Sequence, residues 1–176
     1  MKQRPSLGFF ILALILSTYF ILAGNVWAAF DLSVNPYQGG YDLRFDKITP
    51  DMARVNREVT VRVTSTIAKQ YRLSNMFIQP LSTLEGARLP EGCFVVYGIR
   101  GSNSFGTINV EEEVPVRLGS QIIYTSNATG ASDSFTLVYG ILPSSNIVSG
   151  SYKGRLGFTL EPIDSTQSPV TVMLDV

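Results

Sequence analysis

The sequence has no histidine, and its 176 residues include one cysteine and one tryptophan. Without histidine the chain has no Ser-His-Asp or Cys-His relay, no imidazole metal ligand and no ordinary general base near neutral pH. The single cysteine, Cys93, excludes an intrachain disulfide, a CxxC redox pair and a thiolate zinc site. We therefore expect a protein that is not an enzyme, with no catalytic residues, no metal and no cofactor.

An excess of charge of one sign is also missing. Lys and Arg number 14, Asp and Glu number 14, and the arginines are dispersed along the chain. A nucleic-acid-binding protein needs a clustered basic face, so we expect no nucleic-acid partner.

The longest hydrophobic run lies near the first residue. Two basic residues, Lys2 and Arg4, precede an uncharged stretch over residues 7–23, and Val26-Trp27-Ala28 forms a small-x-small cleavage site. This layout is typical of a secretory signal peptide over residues 1–28, which leaves residues 29–176 as one domain. An uncleaved membrane anchor is the alternative, because about 17 uncharged residues are at the lower limit for crossing a bilayer. With cleavage we expect a periplasmic, cell-surface or extracellular protein without a stable membrane span.

Beyond residue 28 apolar and polar residues alternate with a period of two, the pattern of strands with one solvated face. Turn residues, as in residues 36–40, separate the runs. About eight to ten short strands predict an all-β fold, an antiparallel immunoglobulin-like β-sandwich, with a closed barrel as the alternative. The clearest alternating runs are residues 30–34, 41–45, 59–63, 135–141, 152–160 and 170–176.

Two positions allow more specific predictions. The phase of the alternation slips between Leu73 and Met76, which suggests a β-bulge near Ser74-Asn75. Tyr152 opens a strong strand after Gly150-Ser151, so it is either a tyrosine-corner analogue, with its hydroxyl bonded to a nearby backbone group, or a plain buried tyrosine.

The two terminal strands are the main candidates for binding a partner. A terminal strand can complete its own sandwich or insert into a neighbour, since the same ladder bonds serve both. For the first strand, the alternatives are a strand that changes sheet at residues 36–40 and a strand donated to another subunit. The apolar positions are Phe30, Leu32 and Val34 in the candidate partner-binding strand and Val170, Val172 and Leu174 in the candidate edge strand.

Tyrosines near turns are candidates for a carbohydrate site. Tyr37 and Tyr124 lie beside turn residues, where we expect them to be exposed as platforms for sugar rings; packing is the alternative. Asn127-Ala128-Thr129 fits a glycosylation sequon, but such triplets are frequent by chance.

The remaining reactive groups give weaker signals. Glu111-Glu112-Glu113 is better explained as a solvated charge run than as a calcium site, because successive side chains on a strand point to opposite faces. Cys93 is predicted to be a small buried hydrophobe, with an intermolecular disulfide as the alternative. The carboxylates have no spacing signature of an acid/base pair; the candidates are Glu85, Glu91, Asp133 and Glu161.

Residues 150–160 contain Gly150-Ser151-Tyr152-Lys153-Gly154 followed by alternating apolar residues. With the signal and the 30–34 segment, this resembles exported bacterial immunoglobulin-like surface proteins, the pilin (fimbrial) and spore-coat-U-like group. The resemblance implies a structural or adhesive cell-surface subunit, with copies of itself, other envelope subunits or a donor-strand chaperone as protein partners. The family's usual cysteine pair and penultimate tyrosine are absent. The alternative function is a carbohydrate- or ligand-binding module of the cell envelope, with a glycan as partner.

Overall fold

The structure, a computed structural model, describes residues 29–37, 39–99, 101, 106–164 and 166–176. The predicted signal peptide, residues 1–28, lies outside the described residues. Ten strands and no helix are present in these ranges. The strands are β1 (Phe30–Pro36), β2 (Val55–Ser65), β3 (Tyr71–Ser82), β4 (Phe94–Ile99), β5 (Thr107–Ile108), β6 (Val114–Pro115), β7 (Gln121–Thr125), β8 (Asp133–Ile141), β9 (Lys153–Pro162) and β10 (Val170–Asp175).

The strands form two five-stranded sheets, with the orders β1-β2-β8-β4-β6 and β10-β9-β3-β7-β5. Every strand pairing within them is antiparallel. The fold is thus the predicted immunoglobulin-like sandwich and not the alternative closed barrel. Both terminal strands, β1 and β10, are edge strands.

The core lies between the sheets and follows the sequence alternation. In β1 the side chains of Phe30, Leu32 and Val34 are buried, while those between them are more exposed. In β9 the predicted inward side chains of Leu156 and Phe158 are buried, and the glycine between them is buried as well. Aromatic rings fill the middle of this layer; the contacting pairs include Phe94–Tyr139, Tyr139–Phe158 and Tyr124–Phe135.

The chain changes sheet directly after β1. Gly39 N donates to Pro36 O in a turn, and Asp42 then forms a parallel bridge with Asp175 of β10 in the second sheet. Leu43 N donates to Asp175 O at 2.8 Å. The chain thus passes from the first sheet to the second after Pro36, as predicted, but only Asp42 bridges to the second sheet.

The strand predicted over residues 41–45 is wrong. In this segment only Asp42 makes a bridge, and Tyr41 is exposed. Leu43 is buried and Phe45 packs against the core, so their alternation reflects packing across the end of the sandwich and not a ladder.

The register irregularity predicted near Ser74 is present. Leu73 pairs with Tyr124 and Ser74 with Ile122, so the extra residue, Ile123, belongs to β7. β3 keeps its alternation from Tyr71 to Asn75 and shifts register against β9 only beyond Phe77. Asn75 points into the core, where its Nδ2 donates to the Tyr139 hydroxyl at 3.0 Å. The predicted site was right, but the extra residue lies in the partner strand.

The tyrosine corner is confirmed at Tyr152. Its hydroxyl donates to Val148 O, four residues upstream, at 2.7 Å. The bond closes the loop that leads into β9, because Tyr152 directly precedes the first residue of that strand, Lys153.

A polar contact crosses the outer face of the first sheet. Arg54 Nε donates to Asn56 Oδ1 at 2.9 Å, and Arg54 Nη2 contacts the Glu113 carboxylate. Beneath it lies Gly140, where a Cβ atom would approach Asn56 Oδ1 to 2.8 Å. Glycine at this position therefore leaves room for the Asn56 side chain, which accepts from Arg54.

Candidate partner-binding edge

The candidate partner-binding strand, β1, is integrated into the chain's own sandwich. It pairs with β2 in a continuous register from Phe30 opposite Ser65 to Pro36 opposite Val59. Thr66 N donates to Ala29 O and Tyr37 N donates to Glu58 O, so the odd-numbered residues bond to β2. Since bonded and non-bonded pairs alternate in an antiparallel ladder, the backbone groups of Phe30, Leu32 and Val34 point away from β2. Their side chains are buried, and their backbone forms the outer edge.

The candidate edge strand, β10, has the complementary arrangement on the second sheet. Gly154 and Val176 exchange two backbone bonds, of 2.9 and 3.0 Å, so the even-numbered residues of β10 bond to β9. The side chains of these residues face the core, with Leu174 buried and Val170 and Val172 half-buried. The backbone groups of Thr171 and Met173 therefore point outward.

The outward side of β10 is covered only at its end. Leu43 N bonds to Asp175 O, whereas within the described ranges Thr171 and Met173 make no backbone bond on that side. The Met173 side chain is 53 % exposed on the outer face of the sheet. Edge strands of natural proteins are protected by Lys, Pro or a bulge, and β10 contains no Lys, Arg, Pro or register shift.

The long edges lie on one side of the sandwich. β1 and β10 contact each other across the two sheets. The opposite edges are β6 and β5, with two residues each. A strand long enough to add several ladder bonds has its best template at β1 and β10.

Tyr124 is not exposed, so its assignment as a sugar platform is wrong. The bulge in β7 turns two successive side chains, Ile123 and Tyr124, toward the interior. The Tyr124 ring stacks on Phe135, and its hydroxyl donates to Oδ2 of buried Asp133 at 2.7 Å. Burial raises the pKa of Tyr124 far above its ordinary value. This pair is part of the core.

Tyr37 is exposed as predicted, at 73 %. The sequence interpretation missed Tyr41, which is 95 % exposed, because it had been placed at the start of a strand. Both tyrosines lie on the segment that passes between the sheets.

The other candidate groups are not brought together. Glu111, Glu112 and Glu113 lie on the surface, and Glu113 pairs with Arg54. Cys93 is buried, as predicted. Asp133 is buried at the start of β8, while the remaining candidate carboxylates, Glu85, Glu91 and Glu161, are exposed. Within the described ranges, no three His, Cys, Asp or Glu side chains are grouped to hold a metal ion.

A groove of about 490 Å³ opens where β7 no longer covers β3. Phe77 and Phe94 form its inner wall with ring centroids 5.5 Å apart. Leu118 is exposed at its rim, beside Arg117, whose carbonyl accepts from Phe77 N. Nothing in the sequence indicated this groove, because it depends on where β7 ends relative to β3.

No protein-family model and no curated protein matches the sequence. Similar solved structures include the ASH/PapD-like domain 7 of human CEP192, with 10 % identity, a TM-score of 0.48, and 82 % of this chain and 80 % of that chain covered. Aggregative adherence fimbriae of enteroaggregative Escherichia coli give 12 % identity and a TM-score of 0.42, with 83 % and 96 % covered. The N-terminal domain of PorA gives 12 % identity and a TM-score of 0.39, with 82 % and 95 % covered.

Because these TM-scores are below 0.5, the similarities assign neither a family nor a function. In the described part of the chain, no helix has the length and apolar character needed to span a membrane.

Proposed function

We propose that this chain is an exported, non-enzymatic structural or adhesive subunit of the cell surface, which assembles by adding a strand of a second copy along β10. The observation that supports this is the uncovered, regular backbone edge at Thr171 and Met173. In strand addition the main-chain bonds give affinity, and the alternating side chains give specificity.

The edge alone gives a modest affinity. Thr171 and Met173 offer two N–H and two C=O groups, and each hydrogen bond contributes about 0.5–1.5 kcal/mol net, so four contribute roughly 2–6 kcal/mol. Association costs about 4–15 kcal/mol in lost translational and rotational freedom, so apolar contacts must contribute affinity in addition to the ladder hydrogen bonds. The exposed Met173 side chain and the neighbouring edge of β1 are available for such contacts.

The proposed absence of catalysis is supported by the residues present. The sequence has no histidine, and Asp133, a buried carboxylate, is bonded to Tyr124 and to Ser134 N. This leaves Asp133 in a packed environment, away from solvent.

Export is tested by expressing the full sequence in a bacterial host and weighing the product by mass spectrometry. We expect a protein that begins at Ala29. An intact Met1 on a membrane-bound product would contradict cleavage and support the anchor.

Assembly is tested with two variants of one residue in the exported protein. Met173→Pro removes an outward N–H at an edge position where proline is tolerated, while Met173→Ala removes the side chain and keeps the N–H. We expect the original chain to self-associate in sedimentation experiments and Met173→Ala to do so more weakly, because it loses an apolar contact, whereas Met173→Pro should stay monomeric with an unchanged circular dichroism spectrum. A monomeric original chain, or equal association of both variants, would refute strand addition at β10.

A further inference from the structure

Two exposed tyrosines lie on a segment held at both ends. Tyr37 N donates to Glu58 O at 2.9 Å, and Leu43 N donates to Asp175 O at 2.8 Å. Between these anchors Tyr37 and Tyr41 are 73 % and 95 % exposed, whereas the other described tyrosines are buried or half-buried. Tyrosine offers a large rigid apolar surface with a polar tip, and it is enriched where proteins bind ligands.

Two cavities adjoin the same segment. Their volumes are about 580 Å³ and 220 Å³, and both are lined by Asp42, Leu43 and Arg44. The larger has the volume of typical small-molecule sites, which is roughly 300–1,000 Å³. Tyr152 and Lys153, at the start of β9, form part of its wall.

The charged side chains that line the larger cavity balance each other. Three are acidic and three are basic, so donors and acceptors are both present without an excess of either sign. An anionic ligand needs an excess of positive charge, whereas a neutral ligand with many hydroxyl groups needs donors and acceptors together. The six residues are Asp42, Asp46, Asp175, Arg44, Lys153 and Arg155.

The ion pairs in this lining are exchangeable. Arg44 and Asp42 are 3.2 Å apart, Arg155 and Asp175 are 2.5 Å apart, and all four side chains are substantially exposed. Exposed pairs contribute little stability, so ligand hydroxyl groups can replace or share these contacts. Apolar surface from Phe45 lines the same cavity.

We propose that the crossover segment, residues 36–37 and 39–46, and the start of β9 form a binding site for a neutral glycan. Tyr37 and Tyr41, which lie on the same segment but outside both cavity linings, supply faces for the C–H surfaces of sugar rings, while Asp42 and Arg44 in the lining bond to hydroxyl groups. The cavity reaches the β10 edge only at Asp175 and Val176, beyond the outward groups of Thr171 and Met173, and the inferred glycan site does not rest on the proposed assembly.

The test uses the exported chain and saturation-transfer NMR with three neutral probes, chitotriose, maltotriose and mannotriose, and one anionic probe, sialyllactose. We expect transfer to at least one neutral probe. Loss of the Tyr41 ring should weaken its binding about tenfold, from the contribution of one aromatic contact. Arg44→Ala should weaken it as well, while Leu84→Ala, an exposed apolar control outside the linings of both cavities, should bind as the original chain does.

The glycan site would be overturned if no neutral probe showed transfer, whether or not the anionic probe did. Binding unchanged by both Tyr41→Ala and Arg44→Ala would overturn it too. Loss of self-association in Tyr41→Ala without sugar binding would assign the surface to a protein interface and also refute the proposal. Met173→Pro should bind the sugar normally, so failure of assembly and failure of this site are distinguished.

Discussion

The buried bond between Tyr124 and Asp133 allows a quantitative test of the core. Tyr124→Phe keeps the ring stacked on Phe135 and removes only the hydroxyl that donates to Asp133 Oδ2. A hydrogen bond to a charged group contributes about 1.5–3 kcal/mol, and the carboxylate oxygen is left without its donor away from water. We therefore expect Tyr124→Phe to lower the free energy of unfolding by about 2–3 kcal/mol.

Tyr152→Phe is the matched control, because it deletes the same atom elsewhere. The Tyr152 hydroxyl donates to the carbonyl of Val148, an exposed residue, so water can replace it. Here the expected loss is about 1 kcal/mol or less. Urea unfolding followed by circular dichroism at neutral pH measures both differences.

Equal losses in the two variants would refute the argument that burial sets the cost. A further variant makes the test sharper. Adding Asp133→Asn to Tyr124→Phe should recover part of the loss, because a neutral amide costs less to bury than a carboxylate and still accepts from Ser134 N.

Two more predictions concern alkaline pH and two glycines. Burial raises the pKa of three tyrosines well above the ordinary value of about 10, so above that pH the unfolded chain releases protons that the folded chain retains. The contribution of these tyrosines to the free energy of unfolding is therefore fully present below about pH 10 and is lost as the pH rises further. Absorbance that shows all tyrosines ionised in a chain with an unchanged fold would contradict this. Gly130 has a φ of 60°, and a Cβ there would lie 1.9 Å from Lys69 O, so Gly130→Ala should lower the free energy of unfolding by roughly 3 kcal/mol. At Gly140 a Cβ would meet only side chains, so Gly140→Ala should lower it by about 1 kcal/mol. Equal losses of the two variants in urea unfolding would contradict this. The three tyrosines are Tyr71, Tyr124 and Tyr139.

Much of the fold could be predicted from the sequence because burial alternates along most strands. Phe30, Leu32 and Val34 are the simplest case, since each inward side chain is apolar and turn residues follow at once. The corner at Tyr152 was also predictable, because its hydroxyl reaches a backbone group only four residues away.

The errors arise where packing depends on distant residues. Leu43 and Phe45 alternate like a strand, but the adjacent strand, β10, reaches them only at Asp175. Tyr124 stands beside a polar loop, and only the register of β7 against β3 turns it inward. The cavities next to Asp42 and Arg44 likewise depend on how the crossover segment lies against β9.

The position of the terminal strands determines how the fold opens. β1 and β10 each have one ladder neighbour, whereas β2, β8, β9 and β3 each have two. Local unfolding of a terminal strand breaks one ladder, so its amide hydrogens exchange with solvent at a lower free energy than those of the central strands. The strands that separate most easily from the sandwich are thus β1 and β10. Their release exposes the backbone N–H and C=O groups of β2 and β9, to which a strand of another chain can bind.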